Sequence, residues 1–488
     1  MSDESNAPAV MTFEVLKAAV RDGAAARLGR LALAGRKTVI DTPNYFANTS
    51  RGTVPHVTPD NISKHLQTGG AYMALEDFIE KPQQYSTRRP PIYDTPTPVP
   101  PAKALHNFTA MPPSVITILG ARRLPAVPSP MGNSNKSVSV FTSTGFQVLA
   151  TDEYQAAVQA LKPDIAVPLA DLTNHTMTPT SKRALRMAER TDDWIKAWFA
   201  EQDAVNAEAN PTTRVSTFAP VLPINYSIQW EYLERLAEDH FHSLSGLAVY
   251  DPDVLPDIAS GYPDLLKLPQ LSLAAPVTPH HVLRQITLGI DVFVLPFINA
   301  VSDSGVALTF SFPPPPSQST TNPNNEKTGT PGILPLGIDM SSTAHQTDLS
   351  PLVDSCTCYT CTSHHRAFIQ HLLSAREMLG WTLLQIHNHA VMANFFAGIR
   401  QSLSSSSTTT DEEDNEFTKA CAAFHTLYEP ELPAGMGERP RARGYHFKSE
   451  GGKEKSGEKG GKRNKPAWTK FDDEKVTATG QQSSQPPN

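Results

Sequence analysis

Three of the four cysteines in this 488-residue chain lie within six positions, at Cys356, Cys358 and Cys361. Thiolates crowded this closely cannot pair sensibly as disulfides, but they can bind one face of a tetrahedral Zn²⁺ ion. The site then needs a fourth ligand, and His387 offers an imidazole in the segment that follows. Because four protein ligands leave no open coordination position, the pattern predicts a structural zinc site that supports folding and not catalysis.

Spacing alone leaves the fourth ligand open between His387 and the remaining thiol, Cys421. A single helical histidine is more often a surface or core residue than a ligand. Apolar residues recur at spacings of three and four from Phe368 to Ala390, which predicts one helix with His387 at the edge of its apolar stripe. Other histidines also follow the cysteines, among them His364, His365, His371 and His389.

The composition limits the classes of protein to consider. A formal net charge of -7 and a pI near 6.1 argue against a whole-chain electrostatic binder of nucleic acid. Hydrophobic residues make up 39% of the chain, which is enough for a substantial core. Four cysteines, three of them gathered as ligands, suit a reducing compartment. With no signal-peptide pattern and no run of eighteen apolar residues, we expect a soluble intracellular protein without a transmembrane segment.

The elements that must position the metal site alternate between short apolar runs and amphipathic helices. For example, the run at 218–227 is followed by an amphipathic segment at 229–241. Such alternation predicts βα units and a parallel sheet. There are enough units for an α/β fold of the (β/α)8 TIM-barrel type, which we prefer to an open doubly wound sheet because no nucleotide-binding glycine motif is present. A helical pattern is expected to open this domain near residue 13.

We expect the barrel domain to span residues 12–432, with the zinc module inserted at about 354–400. Residues 433–488 are rich in Gly, Lys and Glu with almost no apolar residues, which predicts a disordered tail. The local positive balance of this tail could contact RNA, although a solvated tail is the commoner explanation. Proline-rich or polar low-complexity loops are expected to be mobile at 88–102, 311–333 and 402–416.

Two stretches resemble the tRNA-guanine transglycosylases, which exchange a guanine of tRNA for a 7-deazaguanine base, queuine in eukaryotes. The cysteine cluster with the pair His387-Asn388 resembles the zinc module of that family, and residues 42–62 resemble its N-terminal segment. The resemblance covers roughly residues 12–400. It implies a TIM barrel with one structural zinc per subunit, and it makes His387 the fourth ligand.

The same resemblance implies that the catalytic residues have been lost. The nucleophile of the family directly follows Phe in a Gly-(Ile/Val)-Asp-x-Phe pattern, and here Phe293 is followed by Val294, which has no lone pair for attack. Asp291 does not replace the nucleophile, because the catalytic proteins also have Asp at that earlier position. The second carboxylate, from an Asp-Ser-Gly-Gly-Phe-Gln motif, corresponds to Thr142. No catalytic residue is therefore assigned.

Some further features of the family are missing from this sequence, and others are retained. The Gln-Gly-Gly base-recognition turn, expected near 222–227, is missing, and a Pro-Thr-Arg segment is replaced by residues 296–298, Pro-Phe-Ile. Residues 245–249, Ser-Gly-Leu-Ala-Val, resemble a base-cradling loop, and Asp171 is a candidate for a base-recognising acid. Neither feature is a catalyst without a nucleophile.

Loss of the pocket beside an intact zinc module implies a non-catalytic accessory subunit. It would form a heterodimer with the catalytic subunit of queuine tRNA-ribosyltransferase and help hold tRNA, while guanine is exchanged for queuine at the wobble position of GUN anticodons. We expect it in the cytoplasm, with peripheral association with the mitochondrial outer membrane as the alternative. Two other hypotheses are an active transglycosylase that uses another carboxylate, such as Asp303, and a zinc-dependent RNA-binding scaffold.

Overall fold

The computed structural model describes residues 11–18, 24–34, 36–79, 90–96, 103–130, 132–173, 178–206, 214–315, 332–405 and 415–436. Most of the loops expected to be mobile and nearly all of the expected tail at 433–488 lie outside these residues. Within the first loop, Pro91–Asp94 form a short 3-10 helix whose Ile92 is buried. The domain boundary at residue 432 stays a prediction.

The chain begins with a three-stranded antiparallel sheet formed by β1 (Met11–Ala18), β2 (Arg27–Leu33) and β3 (Val39–Thr42). The helix expected near residue 13 is therefore wrong. Its Leu, Lys and Ala residues have good helix propensity, but cross-strand pairs such as Phe13 with Leu31 outweigh that preference. Leu31 packs in one apolar cluster with Ile116, the first residue of a barrel strand, so this sheet covers the N-terminal end of the barrel.

Eight parallel strands form a closed barrel, as the alternating pattern predicts. Closure occurs where the last strand lies beside the first, with Val294 opposite Phe46. Side chains from all eight strands fill the interior as an apolar cluster, so the barrel is a packed core and not a pore. The strands are β4 (Asn44–Asn48), β5 (Gly70–Ala74), β6 (Ile116–Gly120), β9 (Ile165–Ala166), β10 (Ser216–Val221), β11 (Gly246–Val249), β12 (Gln270–Ser272) and β13 (Val292–Val294).

A helix follows each barrel strand, which completes the (β/α)8 arrangement. An antiparallel hairpin, β7 (Ser137–Thr142) and β8 (Gly145–Ala150), is inserted after β6. The helices are α1 (Pro59–His65), α2 (Ala104–Thr109), α3 (Thr151–Leu161), α4 (Ser181–Asn206), α5 (Tyr226–Glu238), α6 (Leu255–Gly261), α7 (Pro279–Thr287) and α8 (Pro296–Asp303).

The segment after the barrel forms a small strand pair and four helices. The strands are β14 (Val306–Leu308) and β15 (Gly337–Asp339), which pair antiparallel. The helices are α9 (Tyr359–Ser363), α10 (Arg366–Ser374), α11 (Met378–Ser405) and α12 (Glu416–Leu427). In the described part of the chain, no helix is both long and apolar enough to cross a membrane.

The single helix expected from Phe368 to Ala390 is instead α10 and α11, so that prediction is wrong about the connection. The chain turns at Arg376, which adopts a left-handed conformation with φ of 57°. The amide of Glu377 donates back to the carbonyl of Leu372, which satisfies a terminal carbonyl of α10. The apolar periodicity continues across the break because both helices pack into the same cluster, so the pattern alone could not reveal the turn.

Candidate metal centre and barrel mouth

The fold brings the three clustered cysteines and His387 to one point. The Sγ atoms of Cys356, Cys358 and Cys361 lie 3.8, 3.6 and 3.4 Å from His387 Nδ1. All four ligand atoms lie within 4.8 Å of one another. Zinc bonds of about 2.3 Å to sulfur and about 2.0 Å to nitrogen place tetrahedral S and N ligands about 3.5 Å apart. The cluster can therefore hold a metal ion at its centre.

A short turn and helix hold the cysteines in place. Cys358 caps α9, and its Sγ accepts a hydrogen bond from the amide of Cys361 at 3.4 Å. The hydroxyl of Thr360 donates to the carbonyl of Leu383 at 2.7 Å, which fastens α9 to α11 one turn before His387. The relative position of the thiols and the imidazole is therefore set by contacts between these two helices.

The orientation of His387 follows from its other ring nitrogen. Nε2 donates to the carbonyl of Leu308 at 2.8 Å, so the lone pair of Nδ1 points at the thiols. A ligating histidine is commonly fixed by such a hydrogen bond to a backbone carbonyl. The neighbouring Asn388 accepts from the amide of the same Leu308 at 2.8 Å and donates to the carbonyl of Val306 at 2.9 Å. Thus the His-Asn pair binds both backbone groups of one residue of β14.

Protons compete with a metal ion at this site. Burial lowers the pKa of His387, but hydrogen bonds to Cys356 and Cys358 outweigh that effect and raise the pKa to about 9. A ligating imidazole must be neutral and a ligating cysteine must be a thiolate. Metal binding at this cluster therefore releases protons, and acid favours metal loss.

The alternative fourth ligand lies elsewhere in the fold. Cys421 is buried on α12 and is not part of the cluster. Burial raises the pKa of its thiol to about 12, so it stays protonated. His389 is also buried, where it contacts the hydroxyl of Tyr45 at 3.1 Å and the amide of Gln385 at 3.2 Å. Burial lowers the pKa of His389 to about 3, so it is a neutral core residue.

At the barrel, the position expected for the nucleophile is apolar and inaccessible. Val294 ends β13 with 0% exposure and packs in the interior cluster. Asp291 lies at the opposite end of the same strand, where Arg27 donates to its Oδ1 at 2.8 Å and the amide of Gln270 donates to its Oδ2 at 2.8 Å. Asp291 is thus a structural ion-pair residue at the N-terminal end of the barrel.

The position expected for the second carboxylate is also occupied by a structural side chain. Thr142 has 0% exposure and ends strand β7 of the hairpin. Its hydroxyl bonds to the carbonyl of Gly145 at 2.9 Å and accepts from the Gln147 amide at 3.0 Å. These contacts close the hairpin turn and supply no acid.

Asp171 does lie beside the barrel mouth, but its oxygens already have partners. Arg183 and Arg190 donate to its two oxygens at 2.6 and 3.1 Å, and the amide of Asn133 donates at 2.7 Å. The side chain of Asp171 has 0% exposure. The acid proposed to recognise a base is therefore neutralised by this chain itself. Asp303 ends α8 and contacts His56 Nε2 at 2.6 Å.

A cavity of ≈ 140 Å³ lies at the C-terminal ends of the strands. Its walls combine strand residues such as Tyr72 with residues of the following loops, including Arg122, Leu124, Tyr250 and Leu273. Among the described residues that line it, none is Asp or Glu. The described lining of the cavity therefore supplies neither a carboxylate nucleophile nor a carboxylic acid.

Sequence reasoning missed a buried charge network next to this cavity. Glu76 follows β5 and accepts from Arg123 at 2.8 Å and from the amide of Phe141 at 2.7 Å. Burial raises the pKa of the adjacent Asp77 to about 6, although Arg123 opposes that shift. A signal was present, because charged residues directly follow the apolar runs of β5 and β6.

The fold and the cluster together define a class: a (β/α)8 barrel that carries a three-cysteine, one-histidine metal module after its last strand. Residues 22–420 match the model of the family described as queuine tRNA-ribosyltransferase. The chain belongs to the queuine tRNA-ribosyltransferase family.

Several similar proteins carry a more specific name, queuine tRNA-ribosyltransferase accessory subunit 2. The one from Schizosaccharomyces pombe is 33% identical over 413 residues, which cover 84% of each chain. The one from Homo sapiens is 27% identical over 417 residues, covering 78% of this chain and 94% of the human protein. The one from Drosophila melanogaster is 24% identical over 389 residues, covering 77% and 86% respectively.

Proposed function

We propose that this chain is a non-catalytic accessory subunit of queuine tRNA-ribosyltransferase. It pairs with a separate catalytic subunit in the cytoplasm and helps hold tRNA while guanine is replaced by queuine at the wobble position. The observation that carries the proposal is Val294, a fully buried aliphatic side chain at the position where the family motif places its nucleophile. The names of the similar proteins support the same assignment.

The carboxylates near the barrel mouth support this proposal because each already has another role. Asp171 is held by two guanidinium groups, and Glu76 is bound by Arg123. Asp303, the nucleophile of the rival hypothesis, ends α8, where it pairs with His56, and it does not line the cavity. Covalent catalysis needs the attacking atom within about 3–3.5 Å of the reacting carbon. A carboxylate fixed outside the cavity does not meet that requirement.

We further propose that zinc is the metal of the cluster. Three thiolates and one imidazole form a donor set that favours tetrahedral Zn²⁺. Bound zinc would cross-link Cys356, Cys358 and Cys361 to α11, which itself contacts β14 and α8. The ion would therefore stiffen the module and its attachment to the barrel, and it would have no part in base exchange.

The metal module also offers a surface for the partner. Several of its apolar side chains are exposed, and Tyr359 stacks on His65 of α1 at 4.6 Å. Exposed apolar residues in one region commonly mark protein–protein interfaces. We propose that the catalytic subunit covers Tyr359, Met378 and Leu379 of the module and Leu349, which lies just before it.

Replacing Met378 by aspartate should weaken binding of the catalytic subunit at least about tenfold, because a charge would be placed in a desolvated interface. Met378 is 68% exposed, so the substitution should leave the fold intact. Val148→Asp is the matched control, because Val148 is 59% exposed on β8, outside the metal module. Surface plasmon resonance measures the affinity of both variants for the catalytic subunit. Native affinity of Met378→Asp would place the interface elsewhere.

A base-exchange assay tests the function itself. Without a partner, the purified chain should incorporate no labelled queuine into tRNA, because none of the described residues that line the cavity is a carboxylate. Addition of the catalytic subunit should yield turnover, with both chains co-purifying in a fixed ratio. Turnover by the isolated chain would support the active-enzyme hypothesis. Persistent monomer at micromolar concentration, with no effect on the catalytic subunit, would support the scaffold hypothesis.

A further inference from the structure

The cavity at the barrel mouth contains two hydrogen-bond donors that lack a protein acceptor. Arg122 donates through Nε to the carbonyl of Ser139 at 3.0 Å and through Nη2 to Oδ1 of Asn133 at 3.0 Å. Both acceptors are neutral. Within the described part of the chain, the second guanidinium nitrogen, Nη1, has no hydrogen-bond partner, and neither does the hydroxyl of Tyr250. Both residues line the cavity.

Glu76 and Asp171 act on the charge of Arg122 through space, but neither forms a salt bridge with it among the described contacts. Glu76 is bound by Arg123, and Asp171 is bound by Arg183 and Arg190. Arginine keeps its proton under all ordinary conditions, so burial does not remove the charge. A guanidinium nitrogen that is shielded from water and has no acceptor is unfavourable, and an anion beside Nη1 would relieve that cost.

The shape and the walls of the cavity indicate the rest of the ligand. Its volume of ≈ 140 Å³ is close to that of a cavity of about 150 Å³ that accepts benzene. Leu124, Leu169 and Leu273 supply apolar walls. A ligand that fits would combine a small hydrocarbon body with a compact negative group.

We propose that the barrel mouth binds a small organic carboxylate, with its carboxylate on Arg122 and Tyr250 and its apolar body against the leucine walls. A guanine-type base fits worse, because its N–H groups need acceptors. The acids close to the cavity, Glu76 and Asp171, are already bound by arginines. This site is independent of the proposed function, since it requires neither a partner subunit nor tRNA.

Calorimetric titration of the full chain with benzoate tests the site. Benzoate should bind, and benzamide, which has nearly the same shape without the charge, should bind at least about tenfold more weakly. Tyr250→Phe should weaken benzoate binding about tenfold through loss of one hydrogen bond to a charged group. Arg122→Gln should weaken it further, while the affinity for benzamide changes little.

Thermal unfolding separates a binding defect from a folding defect. Because the Tyr250 hydroxyl has no partner in the described structure, Tyr250→Phe should unfold at the wild-type temperature. If Arg122→Gln fails to fold, Leu273→Trp serves as the second variant. The larger side chain should fill the cavity and prevent benzoate binding. The proposal is overturned if benzoate does not bind at 20 mM, if benzamide binds equally well, or if Tyr250→Phe binds benzoate as the wild type does. Displacement of bound benzoate by free guanine would also overturn the proposal and would indicate a base site instead.

Discussion

Replacement of His387 by alanine is expected to abolish stoichiometric zinc binding and to lower the free energy of unfolding by at least about 4 kcal/mol. The side chain is fully buried. It is one of the four residues of the metal cluster, and it also donates a hydrogen bond to the carbonyl of Leu308. Its removal leaves three thiols that cannot close a tetrahedral site and leaves a cavity beside β14. Metal content by mass spectrometry and urea unfolding measure the two effects.

Cys421→Ala is the matched control, because Cys421 is buried but lies outside the cluster. It should retain one zinc per chain and lose only about 1–2 kcal/mol of stability. Chelation of the wild type should reproduce the effect of His387→Ala and have little further effect on that variant. Equal zinc content in both variants would show that another residue is the fourth ligand.

The local part of the metal site could be predicted from the sequence because ligand spacing is a local property. Cys356, Cys358 and Cys361 are brought together by one turn and the short α9. The choice of His387 over Cys421 depends on how α11 and α12 pack, which no spacing shows. In the sequence it came from the resemblance to the transglycosylases, and the structure places His387 beside the thiols.

The barrel could also be predicted, because eight repeated βα units leave a periodic signal. The predictions that are wrong concern segments in which tertiary contacts oppose the local preference for secondary structure. Residues 11–18 have helix-forming side chains but are paired with β2, and the turn at Arg376 interrupts an unbroken apolar pattern. Propensity and periodicity describe one segment at a time, so they do not record such competition.

The chemistry of the barrel mouth was beyond sequence reasoning for the same reason. Asp171 reads as a free acid in the sequence, yet Asn133, Arg183 and Arg190 saturate it in the fold. Arg122 looks like an ordinary surface arginine, yet it lines a cavity with part of its guanidinium unpaired in the described structure. Contacts between separate loops decide whether a charge is available, and those contacts appear only after folding.

Val294→Asp is expected to lower the free energy of unfolding by about 3–5 kcal/mol at pH 8, because it places an uncompensated carboxylate in the barrel interior. The native side chain has 0% exposure and packs with an apolar cluster that includes Phe46 and Leu273. Val294→Asn is the control, since asparagine has nearly the shape and polarity of aspartate but carries no charge.

The pH dependence separates the effect of charge from the effect of shape. Burial should raise the folded-state pKa of the new carboxyl above its unfolded value of about 4. A group with a raised folded pKa is tolerated below the unfolded pKa and destabilises progressively as pH rises through the folded pKa. Val294→Asp should therefore approach Val294→Asn in stability near pH 4 and fall below it by pH 8. Parallel curves would show that the carboxylate reaches solvent.

Restoring the carboxylate should nevertheless restore no base exchange. A nucleophile at residue 294 would still lack the second acid, because Thr142 closes the hairpin turn and Asp171 is held by arginines. Denaturing gels should show no covalent adduct between Val294→Asp and tRNA, with or without queuine. Adduct formation by this variant would mean that Val294 alone separates this barrel from a catalytic one, and that its other mouth residues still position ribose. Absence of the adduct in a folded variant would show that the rearranged contacts around Thr142 and Asp171 also exclude catalysis.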